Sequence, residues 1–451
     1  MQSVVTTTSR LLGFGLAVAF VPQAYADVNV GRWAVAWVAI ALLVWLIPSV
    51  RWNLAGSALL VLALASFAWA PEPLNALHEF MRMCLVAAAF VVGRAGCTEN
   101  IFEGAAWGMI VNSGLAIAQT LGWQPVMEVS TAMPAGLFGN RDFMAEAALL
   151  VIIPLVWNRR WYMAVAVLPA LLLPMDRTVF AAGGMVTALM VWKLSRTVTI
   201  IAVSAACIGA LAITLLPAKF HSAQERIDLW KDTLDGTTFL GRGVGQFYNT
   251  FPEAATRQAI ERIRSDHAHN DWLELSYELG FVGIFLGAVF SASVLLGPSG
   301  WEKAAFLAFC VIGCFAFPLH NPATGILGLA AAGGVYRRRD LVRGSLTGRT
   351  AYGVSGAVLD FAYADHRACG LTLSYRPEIP SGSVGMADAQ SDRSATDHRS
   401  HDIPPAARSL FARYASRAYG RRIAAWLDRC REGRCSDVAE NHARRAYCFS
   451  V

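Results

Sequence analysis

Apolar runs long enough to cross a bilayer recur through residues 11–217 and again through 271–336, and no soluble core absorbs so many of them. The chain is 55% hydrophobic and only 16% charged, where a soluble domain carries roughly 25% charged residues. The deficit is local, because residues 218–270 and 337–451 are polar. A helix needs about 20 apolar residues to cover the hydrocarbon core, which predicts spans near 11–26, 33–50, 54–70, 77–93, 101–121, 142–157, 161–174, 178–192, 197–217, 271–297, 304–319 and 322–336. A membrane β-barrel would alternate apolar and polar residues in short segments, and that alternation is absent. The expected fold is therefore an all-α polytopic membrane protein of about 12 transmembrane helices. The nine cysteines make no disulfide framework, since most lie within apolar spans or in the tail; Cys430, Cys435 and His442 fit no common zinc spacing.

The loops orient the bundle. Cytoplasmic loops collect Lys and Arg, and alternate loops here hold Arg51, then Arg94, then Arg159 and Arg160, then Lys193 and Arg196, then Lys303, then Arg337 to Arg339. Both termini then lie inside and the large loop 218–270 outside. Four regions follow: helices over 1–217, the outside loop 218–270, three helices over 271–336, and an Arg-rich cytoplasmic tail, 337–451, expected to be solvated and disordered. Arg10, the apolar stretch after it and Ala24-Tyr25-Ala26 also read as a secretory signal with its cleavage site.

The outside loop carries the chemistry-bearing residues. Phe220, Ala223, Ile227, Trp230 and Leu234 recur at helical spacing and predict a helix lying on the bilayer, with Arg226 and Lys231 at headgroup level. Gly241-Arg242-Gly243-Val244-Gly245-Gln246-Phe247 follows; its glycines allow a tight turn, either a plain connection or one whose N–H groups meet phosphate oxygens. Pro252 is expected in the first turn of a second helix. In Asp266-His267-Ala268-His269-Asn270-Asp271-Trp272-Leu273-Glu274, Asp271 and Glu274 have capping-box spacing. The helix is predicted to start at Asp271, with His267, His269 and Asn270 just ahead of it. That end favours an anion and disfavours imidazolium, so a histidine there stays neutral and able to accept a proton. Equally, these residues can be plain helix caps bound to water.

His269-Asn270, nine residues, then Gly280-Phe281-Val282-Gly283 resembles the His-Asn-x9-Gly-x-x-Gly signature of O-antigen ligases, polymerases and pilin-type O-oligosaccharyltransferases. Gly136-Leu137-Phe138-Gly139-Asn140 before an apolar span and Asp176-Arg177-Thr178 opening another look like further elements of that family, though Arg141 and Asp176 stand where relatives often have proline and serine. The resemblance covers roughly residues 30–336 and leans toward the ligases. It implies an enzyme of the bacterial inner membrane, working on the periplasmic side without metal or other cofactor. The donor would be a glycan on undecaprenyl pyrophosphate, and the acceptor lipid A core, another glycan or a protein hydroxyl.

That chemistry needs a base, cations for the leaving pyrophosphate and an apolar slot for the polyprenyl tail. The resemblance points to His269 as base, to Arg177, Arg226 and Arg242 as phosphate ligands, and to His267, Asn270, Gly280 and Gly283 as further site residues. Membrane lipids are expected partners, and nucleic acid is not. A secondary transporter is the alternative from another class. It would hold ionisable residues at the bilayer midplane, whereas the spans here carry few beyond Glu79, Arg82, Glu103 and Glu146.

Overall fold

The structure, a computed structural model, describes residues 1–20, 29–47, 52–123, 134–191, 217–257 and 265–352, with the backbone alone at 177, 187–191, 217–223 and 343–352. Among the described residues every regular element is helical. They are α1 (Gln2–Val18), α2 (Val30–Leu46), α3 (Leu54–Ala65), α4 (Pro73–Val92), α5 (Thr98–Thr120), α6 (Arg141–Trp157), α7 (Trp161–Leu172), α8 (Arg177–Val191), α9 (Pro217–Gly236), α10 (Phe247–Ala254), α11 (Asp271–Leu295), α12 (Trp301–Ile312) and α13 (Pro322–Tyr352). Eleven of the twelve expected spans overlap one of these helices, the first only over 11–18. The ninth, 197–217, the tail beyond 352 and the Ala24–Ala26 site lie outside the described residues.

Length separates these helices. Among the described residues two stretches are long and apolar enough to cross a membrane, Pro73–Thr120, which bends through a π turn at Gly93–Cys97, and Asp271–Leu295. By contrast α3 and α7 have 12 residues each. At about 1.5 Å per residue they fall well short of a 30 Å core. In α7, Pro174 lies two residues past the end and bars the helix from continuing.

Packing follows small residues, as expected where lipid is as apolar as the side chains. Gly13 of α1 and Gly104 of α5 let the two backbones touch, since a Cβ at either would collide with a carbonyl oxygen across the interface. Arg10 pairs with Glu103 along the same seam at 3.0 Å. Cleavage at Ala26 would strip this helix from the bundle and uncover Leu12 and Leu16, both buried. Arg32 is fully buried in α2 and is spent on structure: Nε donates to the Leu16 carbonyl at 2.9 Å and Nη2 to that of Leu137 at 2.7 Å.

The antiparallel order of the bundle gathers helix starts at one end. Asn140 caps α6 through the Asp142 amide at 2.8 Å, and Asp176 caps α8 through that of Thr178 at 2.9 Å. Asn321 caps α13 through that of Ala323 at 3.2 Å. The opposite end is closed by the arginine run of α13, where Asp340 takes Arg94 at 2.8 Å and Arg338 takes Glu302 at 2.8 Å.

Candidate functional site

The His267–Asn270 bend sits on the start of α11. The helix begins at Asp271 as predicted, but the capping box is not formed. Asn270 is the cap, with Oδ1 accepting from the amides of Trp272 and Leu273 at 3.0 and 3.1 Å. Glu274 reaches past Asp271 instead. Its Oε2 accepts from the Ala268 amide at 2.8 Å and its Oε1 meets His267 Nδ1 at 2.9 Å. The Asp271 amide is engaged elsewhere, by the carbonyls of Gly313 and Ala316 at 2.8 and 3.2 Å. These bonds force the chain to turn, and His269 takes φ 50°, a left-handed conformation uncommon outside glycine.

The segment 313–317 after α12 is the other wall. Asn270 Nδ2 donates to the Cys314 carbonyl at 2.8 Å, and Arg226 Nη1 from α9 donates to that of Phe315 at 2.8 Å. Phe317 stacks on His267 at 4.5 Å and lies edge-on to His269 at 5.0 Å. Trp230 Nε1 fixes the Ala268 carbonyl at 3.0 Å. His269 is thus held by its neighbours rather than by a bond to its own ring.

Two residues apart, the histidines differ in charge. Burial works against a proton on His267, but the Glu274 carboxylate, with help from Glu79 and Asp271, outweighs it and raises the pKa to about 9. His269 has no such partner. Burial, then Arg226, then the charge on His267 lower its pKa to about 4. His269 is therefore neutral at pH 7, and His267 is an imidazolium despite its place near a helix start.

The expected arginines separate. Arg226 stands beside His269 and also near Asp176 and Glu146. Asp176 is raised to about 6 by burial and by Asp142. Arg177 opens α8 next to that cluster, and its side chain lies outside the described residues. Arg242 sits elsewhere. Its amide bonds the Tyr277 carbonyl at 3.0 Å and its Nε the Gly236 carbonyl at 3.4 Å, seven residues, or about 10 Å, down α11 from Asn270.

Most N–H groups of the glycine loop are spent within the protein, those of Arg242, Gly243, Val244, Gly245 and Phe247. Gly280 adopts φ 67° and breaks α11. The freed carbonyls of Tyr277 and Glu278 take the amides of Arg242 and Gly243 at 3.0 and 2.8 Å. Val244 N–H goes to Ser66 Oγ at 3.0 Å. The amides of Gly245 and Phe247 bind the Glu278 carboxyl group, the latter at 3.0 Å, so the nest is filled by the protein's own side chain. A Cβ at Gly280 would collide with the Phe239 carbonyl and one at Gly241 with that of Glu278. Gly283 is buried on the same helix, against Leu279. The helix after this loop starts at Phe247, not near Pro252, because Phe247 and Phe251 stack at 4.7 Å against Tyr277. Arg257 then folds back onto Asp232 and Asp235 at 2.7 and 2.6 Å. The stripe expected on α9 also divides, since Leu229, Asp232 and Thr233 are buried and Ile227 and Leu234 exposed.

Sequence reading gave no role to three groups that complete the site. Glu79 and Arg82 of α4 pair at 3.4 Å. His320, just before α13, lies 3.5 Å from both Glu79 and Glu274, and its ring stacks on His267 at 4.2 Å. Burial, the charge of His267 and that of Arg82 lower its pKa well below the usual value. The signal available in sequence was an i,i+3 ion pair inside an apolar run. His267, Glu274 and His320 each offer a ligand atom within 4.8 Å of the others. Their imidazole planes lie 17° apart in a stack, so the in-plane lone pairs do not converge on one ion. Below these groups opens a cavity lined by apolar side chains including Leu59, Phe90, Leu275 and Phe290.

Residues 143–288, from α6 into α11, match the family model described as O-Antigen ligase. Over that stretch the chain is similar to the O-antigen ligases. His269, Arg226 and the Gly280/Gly283 pair all fall inside the match. No curated protein matches the chain. The match supports, in broad terms, glycan transfer of the O-antigen ligase type.

Proposed function

We propose that the chain moves a glycan from undecaprenyl pyrophosphate to an acceptor hydroxyl, that of lipid A core in a ligase, on the periplasmic side of the inner membrane. The observation that carries this reading is a neutral histidine, His269, held in a strained bend beside Arg226 at the end of the bundle where the helix starts gather. His269 takes the proton of the acceptor hydroxyl as the oxygen attacks the anomeric carbon. The bond from that carbon to the pyrophosphate breaks, and undecaprenyl pyrophosphate leaves with the electron pair. Arg226 offers it a guanidinium fork, with Arg177 next in line. The gathered helix starts add partial positive charge. The apolar cavity beneath Glu79, Glu274 and His320 is of a kind to take the polyprenyl chain.

A base with a pKa near 4 is weak, but a bound pyrophosphate adds negative charge beside the ring and raises its proton affinity toward working pH. The test is transfer by purified protein in nanodiscs, using an undecaprenyl-pyrophosphate glycan and lipid A core. Transfer that vanishes in His269→Ala, with donor affinity intact, supports the base. A normal maximal rate with raised donor KM makes His269 a phosphate contact instead. Transfer only onto a second donor molecule marks a polymerase, and transfer only onto a protein hydroxyl an oligosaccharyltransferase.

A further inference from the structure

The grip of Glu274 does more than begin a helix. Asn270 already supplies the cap, and Glu274 Oε2 takes the N–H of Ala268, two residues ahead of it. The second oxygen holds the ring of His267. The two contacts fall on residues 267 and 268, immediately ahead of the left-handed His269, while Asn270 is pinned on the other side by Cys314. We infer that Glu274 is a positioning residue for His269: its two-oxygen grip on His267 and Ala268 fixes the bend that presents His269, and the cation it retains at 267 keeps a proton off 269. This rests on the reading of His269 as the base.

The charged surroundings are few enough to follow. His267 faces Glu274 and Asp271 of α11, Glu79 and Arg82 of α4, and His320 ahead of α13. His269 faces Arg226 of α9 and His267. Glutamine at 274 has the same shape and can still accept from Ala268, but it cannot balance an imidazolium. Burial then drives the proton off His267. With that cation gone, His269 binds a proton more readily and its midpoint moves up from about 4. A purely structural role for Glu274 would cost rate without moving that midpoint.

The experiment uses the full chain in nanodiscs with ¹³C-labelled histidine, assigned by single substitutions and titrated by NMR, beside pH profiles of transfer with the substrates named above. In Glu274→Gln the His267 midpoint should fall and that of His269 should rise, each by about one pH unit or more, a tenfold change in proton affinity. The acid limb of kcat/KM should follow His269 upward. Glu274→Asp, which keeps the charge, should restore the limb even where its shorter reach lowers kcat. His267→Gln removes the cation without touching Glu274 and should also raise the His269 midpoint, so the idea stays testable if Glu274→Gln folds poorly. An unmoved His269 midpoint in both glutamine variants overturns the inference. Full transfer in His269→Ala would instead overturn the base, and the NMR midpoints would still decide the coupling.

Discussion

Two loops carry the family signature, and they use their backbones in opposite ways. In the loop 241–247 the N–H groups of Arg242, Gly243, Val244, Gly245 and Phe247 all have partners within the protein, and the positive-φ glycines bring the chain into the break of α11. In the bend 265–271 the strain falls on a histidine, and the contacts surround its ring while leaving the ring itself neutral. The first loop is a fastening; the second, in the proposed function, presents the reactive group. Short glycine patterns therefore do not report phosphate binding until each donor has been followed to its acceptor.

The comparison breaks most directly at His269. His269→Ala should lose on the order of 10²–10⁴-fold in transfer rate, the usual worth of a positioned proton acceptor, with unchanged protein level and melting temperature. A variant that instead accumulates poorly would make the bend a fastening too. Gly280→Ala should do the reverse. Its positive φ costs about 1–3 kcal/mol for a residue with a Cβ, and the collision with the Phe239 carbonyl comes on top of that. Melting temperature and yield should fall, and whatever folds should keep its donor KM. A stable, inactive Gly280→Ala would place the glycine loop in the chemistry after all.

How much of this was legible beforehand follows the range of the contacts. The starts of α6, α8 and α11 were readable because a cap is a matter of one to three residues, as at Asn140, Asp176 and Asn270. Choosing Asp271 over Asn270 as the cap failed because Gly313 and Ala316, more than forty residues away, claim the Asp271 amide. Glu79, Arg82 and His320 were visible only as scattered charges, since nothing in local spacing says that α4 and the start of α13 meet α11. The imidazolium at 267 was unreadable for the same reason. A helix start predicts a neutral ring, and it took the carboxylates of Glu274 and Glu79 to reverse that.

The arginines sharpen the comparison further. Arg226→Lys keeps the charge beside His269 but loses the paired contacts a guanidinium makes to pyrophosphate oxygens. Roughly a tenfold rise in donor KM is expected, the size of one lost charge-assisted bond. Unchanged kinetics would leave Arg226 as a tie to the Phe315 carbonyl only.

The smallest effect is expected at Arg242, and it tests the reading of the first loop as a fastening. Among the described residues its backbone amide, not its charge, does the holding, through the Tyr277 carbonyl at 3.0 Å. The guanidinium contributes one long bond to Gly236 at 3.4 Å. Any residue with an N–H can supply the first contact, and glutamine can also reach toward the second. Arg242→Gln should therefore change donor KM and transfer rate by less than about twofold, a difference under 0.5 kcal/mol, with at most a small drop in melting temperature. A donor KM raised as far as that of Arg226→Lys would show that the pyrophosphate extends two helical turns down α11, and that the glycine loop binds substrate through its side chain while its backbone is engaged elsewhere.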